Sequence, residues 1–251
     1  MDDSQLKLLT DFHRHAIRQG PGGEKETGQA LELARLDRSR PLKIADIGCG
    51  TGASTIQLAK QLDAEITAVD FLGEFLDELK IRADKEGVAG KITTINCSMD
   101  ELPFAPQEFD VVWSEGAIYN MGFEAGVTAW KRILKPGGKL IVSEITWLTA
   151  TRPSELQNYW GEAYPEVDVA SAKISILENH GYCPEAYFVL PKHCWRENYY
   201  QPMQGRFEEF LARHGRSEDA QTIVEEEKRE IALYEKYSSY YSYGVYVSRK
   251  L

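Results

Sequence analysis

The stretch IADIGCGTG, Ile44 to Gly52, spaces Gly48, Gly50 and Gly52 as G-x-G-x-G between an apolar run and the start of a helical pattern. Glycine allows a tight turn and lets a ligand approach the backbone, and a helix N-terminus beyond it offers free N–H groups. Dinucleotides favour a longer spacing, G-x-G-x-x-G, with a pyrophosphate on the helix start. This loop departs from that fingerprint. Asp70, closing the run EITAVD, is the second residue with chemistry to offer. An ionised carboxylate has two acceptor oxygens and a ribose diol has two donors, so Asp70 at a strand end reads as a ribose ligand. The competing use is as a cap for the next helix.

These residues need elements to hold them. LKIADIG is short and apolar, a buried parallel strand. STIQLAKQL follows as a helix with Ile56, Ala59 and Leu62 on one face, and EITAVD is the second strand. The next helix places Leu72, Phe75, Leu76, Leu79 and Ala83 at helical spacing, with Gly87 as its C-cap. KITTINCS, FDVVWSEG and KLIVSEI read as further strands, with a helix from Phe123 to Leu134 that stops at the turn KPGG. EAYFVLP and YGVYVSRK complete the set. The alternation predicts an α/β fold, a doubly wound, mostly parallel seven-stranded sheet. N-terminal helices over 4–18 and 24–37 are joined by GPGG. An irregular aromatic stretch covers 149–168, a helix 169–180, and a charged helical insertion at 203–240 precedes the last strand.

ADIGCGTG, AVDF, SMDELPF, FDVVWSEGAIYN and ILKPGGKLIVSE, in that order, resemble the class I S-adenosylmethionine-dependent methyltransferases, with their Rossmann-like fold. The likeness is closest to the small-molecule branch related to quinone-biosynthesis C-methyltransferases and covers residues 40–146. It implies S-adenosyl-L-methionine as cofactor. By the resemblance Asp46, Gly48, Cys49, Gly50 and Thr51 line its methionine part, Asp70 holds the ribose, and Phe71 lies beside the adenine. Ser98 and Met99 contact the adenine where the family often carries Asp, a charged acceptor that a hydroxyl replaces without charge. Glu115 and Gly116 sit near the methionine amino group and the transferred methyl, and PGG is structural. A nucleotide-dependent oxidoreductase and a non-catalytic cofactor sensor or interaction module are the rival readings.

Ligands of open α/β sheets bind beyond the carboxyl ends of the strands, where additions to the core belong. Residues 1–37 are read as a helical lid on a flexible GPGG joint, 40–146 as the cofactor core and 147–251 as substrate-covering additions, all in one domain. Trp147, Trp160, Tyr164, His193, Trp195 and Tyr199 cluster in these additions; Tyr119, Trp147, Trp160, Tyr164 and Trp195 are the candidate acceptor wall. Glu115, Tyr119 and His193 are candidate general bases, and His13 and His15 could face the site. His180, Cys183, His193 and Cys194 could be written as four zinc ligands, but ordinary burial explains the thiols and no metal is expected. A net charge of −10 argues against nucleic acid. No apolar run is long enough to span a bilayer, and the cysteines show no C-x-x-C pair. These point to a cytoplasmic protein with a small-molecule acceptor, the additions serving alternatively as a homodimer contact.

Overall fold

The computed structural model describes residues 3–251. Helices α1 (Asp3–Arg14) and α2 (Glu24–Ala34) precede strand β1 (Leu42–Ile47). Then follow α3 (Ala53–Gln61), β2 (Ala64–Asp70), α4 (Gly73–Lys85), β3 (Ile92–Asn96), β4 (Phe109–Glu115), α5 (Phe123–Trp130) and β5 (Leu134–Trp147). Next come α6 (Ser154–Ala163), the two-residue β6 (Asp168–Val169), α7 (Ala170–Asn179) and β7 (Tyr182–Val189). The last part holds α8 (Lys192–Trp195), a π-helical turn (Arg196–Tyr200), α9 (Gln201–Gln204), α10 (Phe207–Arg213), α11 (Glu218–Tyr237) and β8 (Tyr241–Lys250).

The sheet runs β3-β2-β1-β4-β5-β8-β7, with β6 beside β5. β1 lies parallel to β2 on one side, Asp46 opposite Ala68, and parallel to β4 on the other, Asp46 opposite Trp113. The chain therefore reverses its march across the sheet at β1, and a crevice opens at the carboxyl ends of β1 and β4. Apolar runs explain the central strands: β4 is buried from Phe109 to Ser114. β8 is antiparallel to both β5 and β7 and carries the insertion's end back into the sheet. Buried side chains pack on both faces: Ile44, Leu58 and Leu31 in one cluster, Ala45, Phe123 and Val127 in the other. No helix among the described residues is long and apolar enough to cross a membrane.

The elements depart from the sequence expectation where local signals compete. The helix expected from Phe123 to about Leu134 is α-helical to Trp130 and continues as a 3₁₀ turn over Lys131–Ile133, whereas KPGG lies within β5, where the β4–β5 register shifts between Phe109 and Val111. Gly138 there sits so close to the Asp110 and Lys135 carbonyls, 3.0 and 2.9 Å from where a Cβ would stand, that the backbones meet directly. The stretch expected to be irregular contains α6, of which only Leu156 is buried; one apolar contact is too little for a helical period to show. Gly205 and Gly215 end α9 and α10, dividing the charged helical stretch. Gly87, with φ +70°, does follow α4 as its stop.

Candidate active site

Gly48, Gly50 and Gly52 have φ of +71°, +55° and +87°, the left-handed region that side chains rarely adopt. Space forbids side chains as well. A Cβ at Gly48 would lie 2.3 Å from the Ala117 methyl, and at Gly52 2.1 Å from Leu79 Cδ1. The turn leads straight into α3, with Gly52 as its N-cap. Asp70 fixes the loop from the neighbouring strand. One carboxylate oxygen accepts from the Gly50 N–H at 2.8 Å and the other from the Leu72 N–H at 2.9 Å. The Leu72 bond reaches the cap position of α4, not a donor inside its first turn, so Asp70 orders the turn as well as the loop. Burial pushes its carboxyl above the ordinary range.

A cavity of about 710 Å³ opens at these carboxyl ends, within the size range of small-molecule sites. Gly48, Cys49, Gly50, Asp70, Phe71, Ser98, Met99, Glu115, Gly116 and Tyr119 all line it. Phe71 stands at its rim, 63% exposed. Ser98 donates to the carboxylate of Asp100, which lines the same cavity. The charged acceptor missing at position 98 thus reappears two residues on, in the motif SMDELPF.

Glu115 is tied on every side. Its carboxylate accepts from Thr27 Oγ1 at 2.7 Å, Trp113 Nε1 at 3.0 Å and Arg18 Nη1 at 2.9 Å. Two of these donors come from the N-terminal segment. Gln19 adds a second tie: its Oε1 accepts from the Thr51 N–H at 3.0 Å, while the Thr51 hydroxyl donates to the Ala16 carbonyl at 2.9 Å. Arg82 of α4 donates to the Ala16 and Ile17 carbonyls. Arg18, Gln19, Gly20, Pro21, Leu6 and Leu9 consequently form one wall of the cavity. Nothing in their local pattern marks them as site residues; their placement comes from partners tens of residues away.

Residues 44–138 match the family model described as a methyltransferase domain. An O-methyltransferase of Aspergillus nomiae, rstn1, is 27% identical over 156 residues, 58% of this chain and 69% of that protein. A chloroplastic 2-methyl-6-phytyl-1,4-hydroquinone methyltransferase of rice is 32% identical over 133 residues, but these are 53% of this chain and only 37% of the rice protein. In fold, an S-adenosyl-L-homocysteine complex of a Geobacter sulfurreducens methyltransferase superposes with a TM-score of 0.84 at 18% identity, covering 98% of both chains. Residues 44–138 thus form a methyltransferase domain, and the chain as a whole is similar to S-adenosylmethionine-dependent methyltransferases.

In this methyltransferase two residues of the glycine motif turn away from the cavity. Asp46 is fully buried, one carboxylate oxygen accepting from the Thr55 and Ser54 hydroxyls at 2.6 and 3.1 Å, the other without a partner. Burial pushes its carboxyl up to about 7, the nearby Glu115 adding to the effect. Thr51 is fully buried beneath the N-terminal segment. Both shape the loop rather than its open face.

The expected aromatic wall is largely core. Trp195 stacks on Tyr234 at 4.5 Å and donates to Ser242 Oγ, Trp147 lies under the Arg152 guanidinium, and Trp160 packs on Tyr241. None of the three lines the cavity: Trp195 is stacked on Tyr234, and Trp147 and Trp160 both meet the Tyr241 ring edge-on. Tyr164 reaches only the back of Tyr119, ring centroids 6.0 Å apart. Tyr119 alone of that set faces the cavity. His193 points at Glu26, 3.2 Å away, outside the cavity wall, which removes it as a base. His13 and His15 pair with Glu227 and Glu78. His180 is bound to Glu124 and Thr128 near the start of β7, whereas His193 and Cys194 follow its other end, so the four-ligand zinc set does not assemble. The GPGG joint is also firm: Pro21, Gly22 and Gly23 are buried, and the Gly22 carbonyl accepts from Asn198 Nδ2 at 2.8 Å.

Proposed function

We propose that this methyltransferase moves a methyl group by direct displacement onto a small-molecule acceptor that enters beside Tyr119, Asn120 and Met121. The observation that carries the reading is the single cavity running from the glycine loop and Asp70 to these residues and to Leu6 and Leu9 of α1. The chain's residues fit the cofactor. A glycine turn that excludes any Cβ lets a ligand approach the backbone closely, its own N–H groups being held by Val69, Asp70, Gln19 and Cys49, and each Asp70 oxygen, already accepting one N–H, keeps a lone pair for a ribose hydroxyl. Phe71 offers a ring face and Asp100 with Ser98 an acceptor for the adenine amino group. When bound, S-adenosylmethionine supplies a methyl already made electrophilic by its sulfonium.

The protein's part is then alignment and exclusion of water. Arg18, Thr27 and Gln19 hold the N-terminal segment across the cavity, which makes residues 3–37 a cover. Glu115, with three donors on its carboxylate, serves as the anchor of that cover and not as a base. If the acceptor must lose a proton, Tyr119 is the candidate left on the wall. The negative net charge and the lack of a phosphate-binding basic wall support a small acceptor over nucleic acid. Calorimetry with S-adenosylhomocysteine, followed by a cofactor-consumption screen against metabolite pools read by mass spectrometry, tests the proposal. Micromolar binding, on the order of −8 kcal/mol, and a product 14 mass units heavier (the mass of an added CH₂, roughly) are expected. Binding with no methylated product from any pool would leave a cofactor sensor; tight NAD binding with no response to the sulfur cofactor would sink the cofactor assignment.

A further inference from the structure

Outside the cavity, three metal-ligating side chains converge. Glu26 stands in the first turn of α2, and His193 and Cys194 in α8, more than 160 residues along the chain (roughly, by numbering). His193 Nε2 lies 3.2 Å from Glu26 Oε1 and 3.7 Å from Cys194 Sγ, and one donor atom from each of the three falls within 4.8 Å of the other two. Zinc bonds of about 2.0 Å to oxygen, 2.0–2.1 Å to nitrogen and 2.3 Å to sulfur, set at tetrahedral angles, require N–O and N–S edges of roughly 3.3 and 3.6 Å. The two distances in the structure match those edges.

The other oxygen of the same carboxylate, Oε2, adds a second observation. Glu26 is only 4% exposed, and its Oε2 is buried with no hydrogen-bond partner. Such an oxygen costs free energy unless a donor or cation meets it. The backbone also makes room for it: a Cβ at Gly23 would lie 2.2 Å from Oε2. Gly23 is extended, with φ −168°, so space and not conformation favours glycine there.

We infer that Glu26, His193 and Cys194 form a three-ligand site for a divalent cation of zinc type, which clamps α2 to α8. His193 is partly exposed, which leaves the fourth position to water. The clamp joins the N-terminal segment that covers the cavity to the insertion that follows β7. It requires the thiol proton to leave to solvent as the sulfur–metal bond forms, with no redox change.

The test uses the full, untagged chain, stripped with a chelator and dialysed against zinc or cobalt chloride. One equivalent of zinc should be retained. Cobalt should give a thiolate-to-metal charge-transfer band with the strong visible bands of a tetrahedral site. Losing a partner in the outer shell alone costs about 10–100-fold in affinity, so Glu26→Gln, His193→Gln and Cys194→Ser should each weaken zinc by more than about 100-fold. Cys194→Ser should also abolish the charge-transfer band. Zinc should raise the wild-type melting temperature in proportion to the logarithm of its concentration. His193→Gln, at a partly exposed position, keeps the test readable if a buried variant fails to fold. Zinc held equally by the wild type and by His193→Gln, or no zinc held by the wild type, would overturn the site. Neither result bears on cofactor binding, which is measured separately with S-adenosylhomocysteine.

Discussion

Asp70 has two duties in the structure, and its substitution separates them. Asp70→Ala removes the acceptors for the Gly50 and Leu72 N–H groups and for the ribose. Cofactor affinity should fall by about 1.5–3 kcal/mol, the scale for hydrogen bonds to a charged group. A melting-temperature drop should accompany it, because a loop and a turn lose their tie. Calorimetry and thermal denaturation on one preparation check both; unchanged affinity with lowered stability would leave Asp70 purely structural. Gly50 is more constrained. Gly50→Ala forces a side chain into φ +55° and places its Cβ 2.3 Å from Gln19 Oε1. The left-handed conformation alone costs roughly 1–2 kcal/mol, and the displaced Gln19 would release Thr51. Binding of S-adenosylhomocysteine should drop sharply while the far-ultraviolet circular dichroism stays native.

At the scale of elements the N-terminal segment decides most. Arg18 is largely buried where it meets Glu115, and removing one partner of such a pair costs about 3–5 kcal/mol. Arg18→Ala should therefore lower stability by an amount near the bottom of that range, since Thr27 and Trp113 still serve Glu115. Hydrogen exchange should speed up across residues 13–23, and methyl transfer should fall more than cofactor binding does. Removing residues 1–20 would take out Phe12, which is 2% exposed and packs on Phe207 and Phe210. A lost buried Phe costs about 3–5 kcal/mol by itself, so the truncated chain should be unstable rather than folded and merely uncovered.

For the whole molecule, buried carboxyls set a pH dependence. Burial pushes Asp46 and Glu230 up to about 7, Glu227 adding its charge at Glu230. Unfolded, both titrate near about 4. Between those values the folded chain holds protons that the unfolded chain has lost, so these groups favour folding below about pH 4 and lose that contribution as pH rises toward 7. Asp110 acts in the opposite direction. Burial works to raise it, but Arg40, Lys135 and the Lys43 N–H together hold it well below the usual range. Its stabilisation is present above about pH 4 and is lost on further acidification. Urea denaturation from pH 4.5 to 8 should show stability declining toward neutral pH. Asp46→Asn should reduce that slope by up to about 1.4 kcal/mol per pH unit. A slope identical to wild type would show that Asp46 is ionised throughout.

The glycine loop, Asp70 and the succession of strands along the chain were legible in the sequence because each rests on short-range rules. Positive φ demands glycine, buried parallel strands read as apolar runs, and a strand-to-helix turn lies where the period changes from two to nearly four. The partners of Glu115, Trp195 and Asp46 were not legible. Glu115 lines the cavity as expected, but its carboxylate is met by Arg18 and Thr27 from a segment about 90 residues earlier. Trp195 is held by Tyr234 and Ser242. Asp46 turns toward the hydroxyls of α3. The convergence of Glu26 on His193 and Cys194 was hidden for the same reason. Local sequence determines which backbone conformations are affordable, whereas a side chain's chemistry depends on the partners that packing brings within about 3 Å, and only the tertiary structure chose those partners.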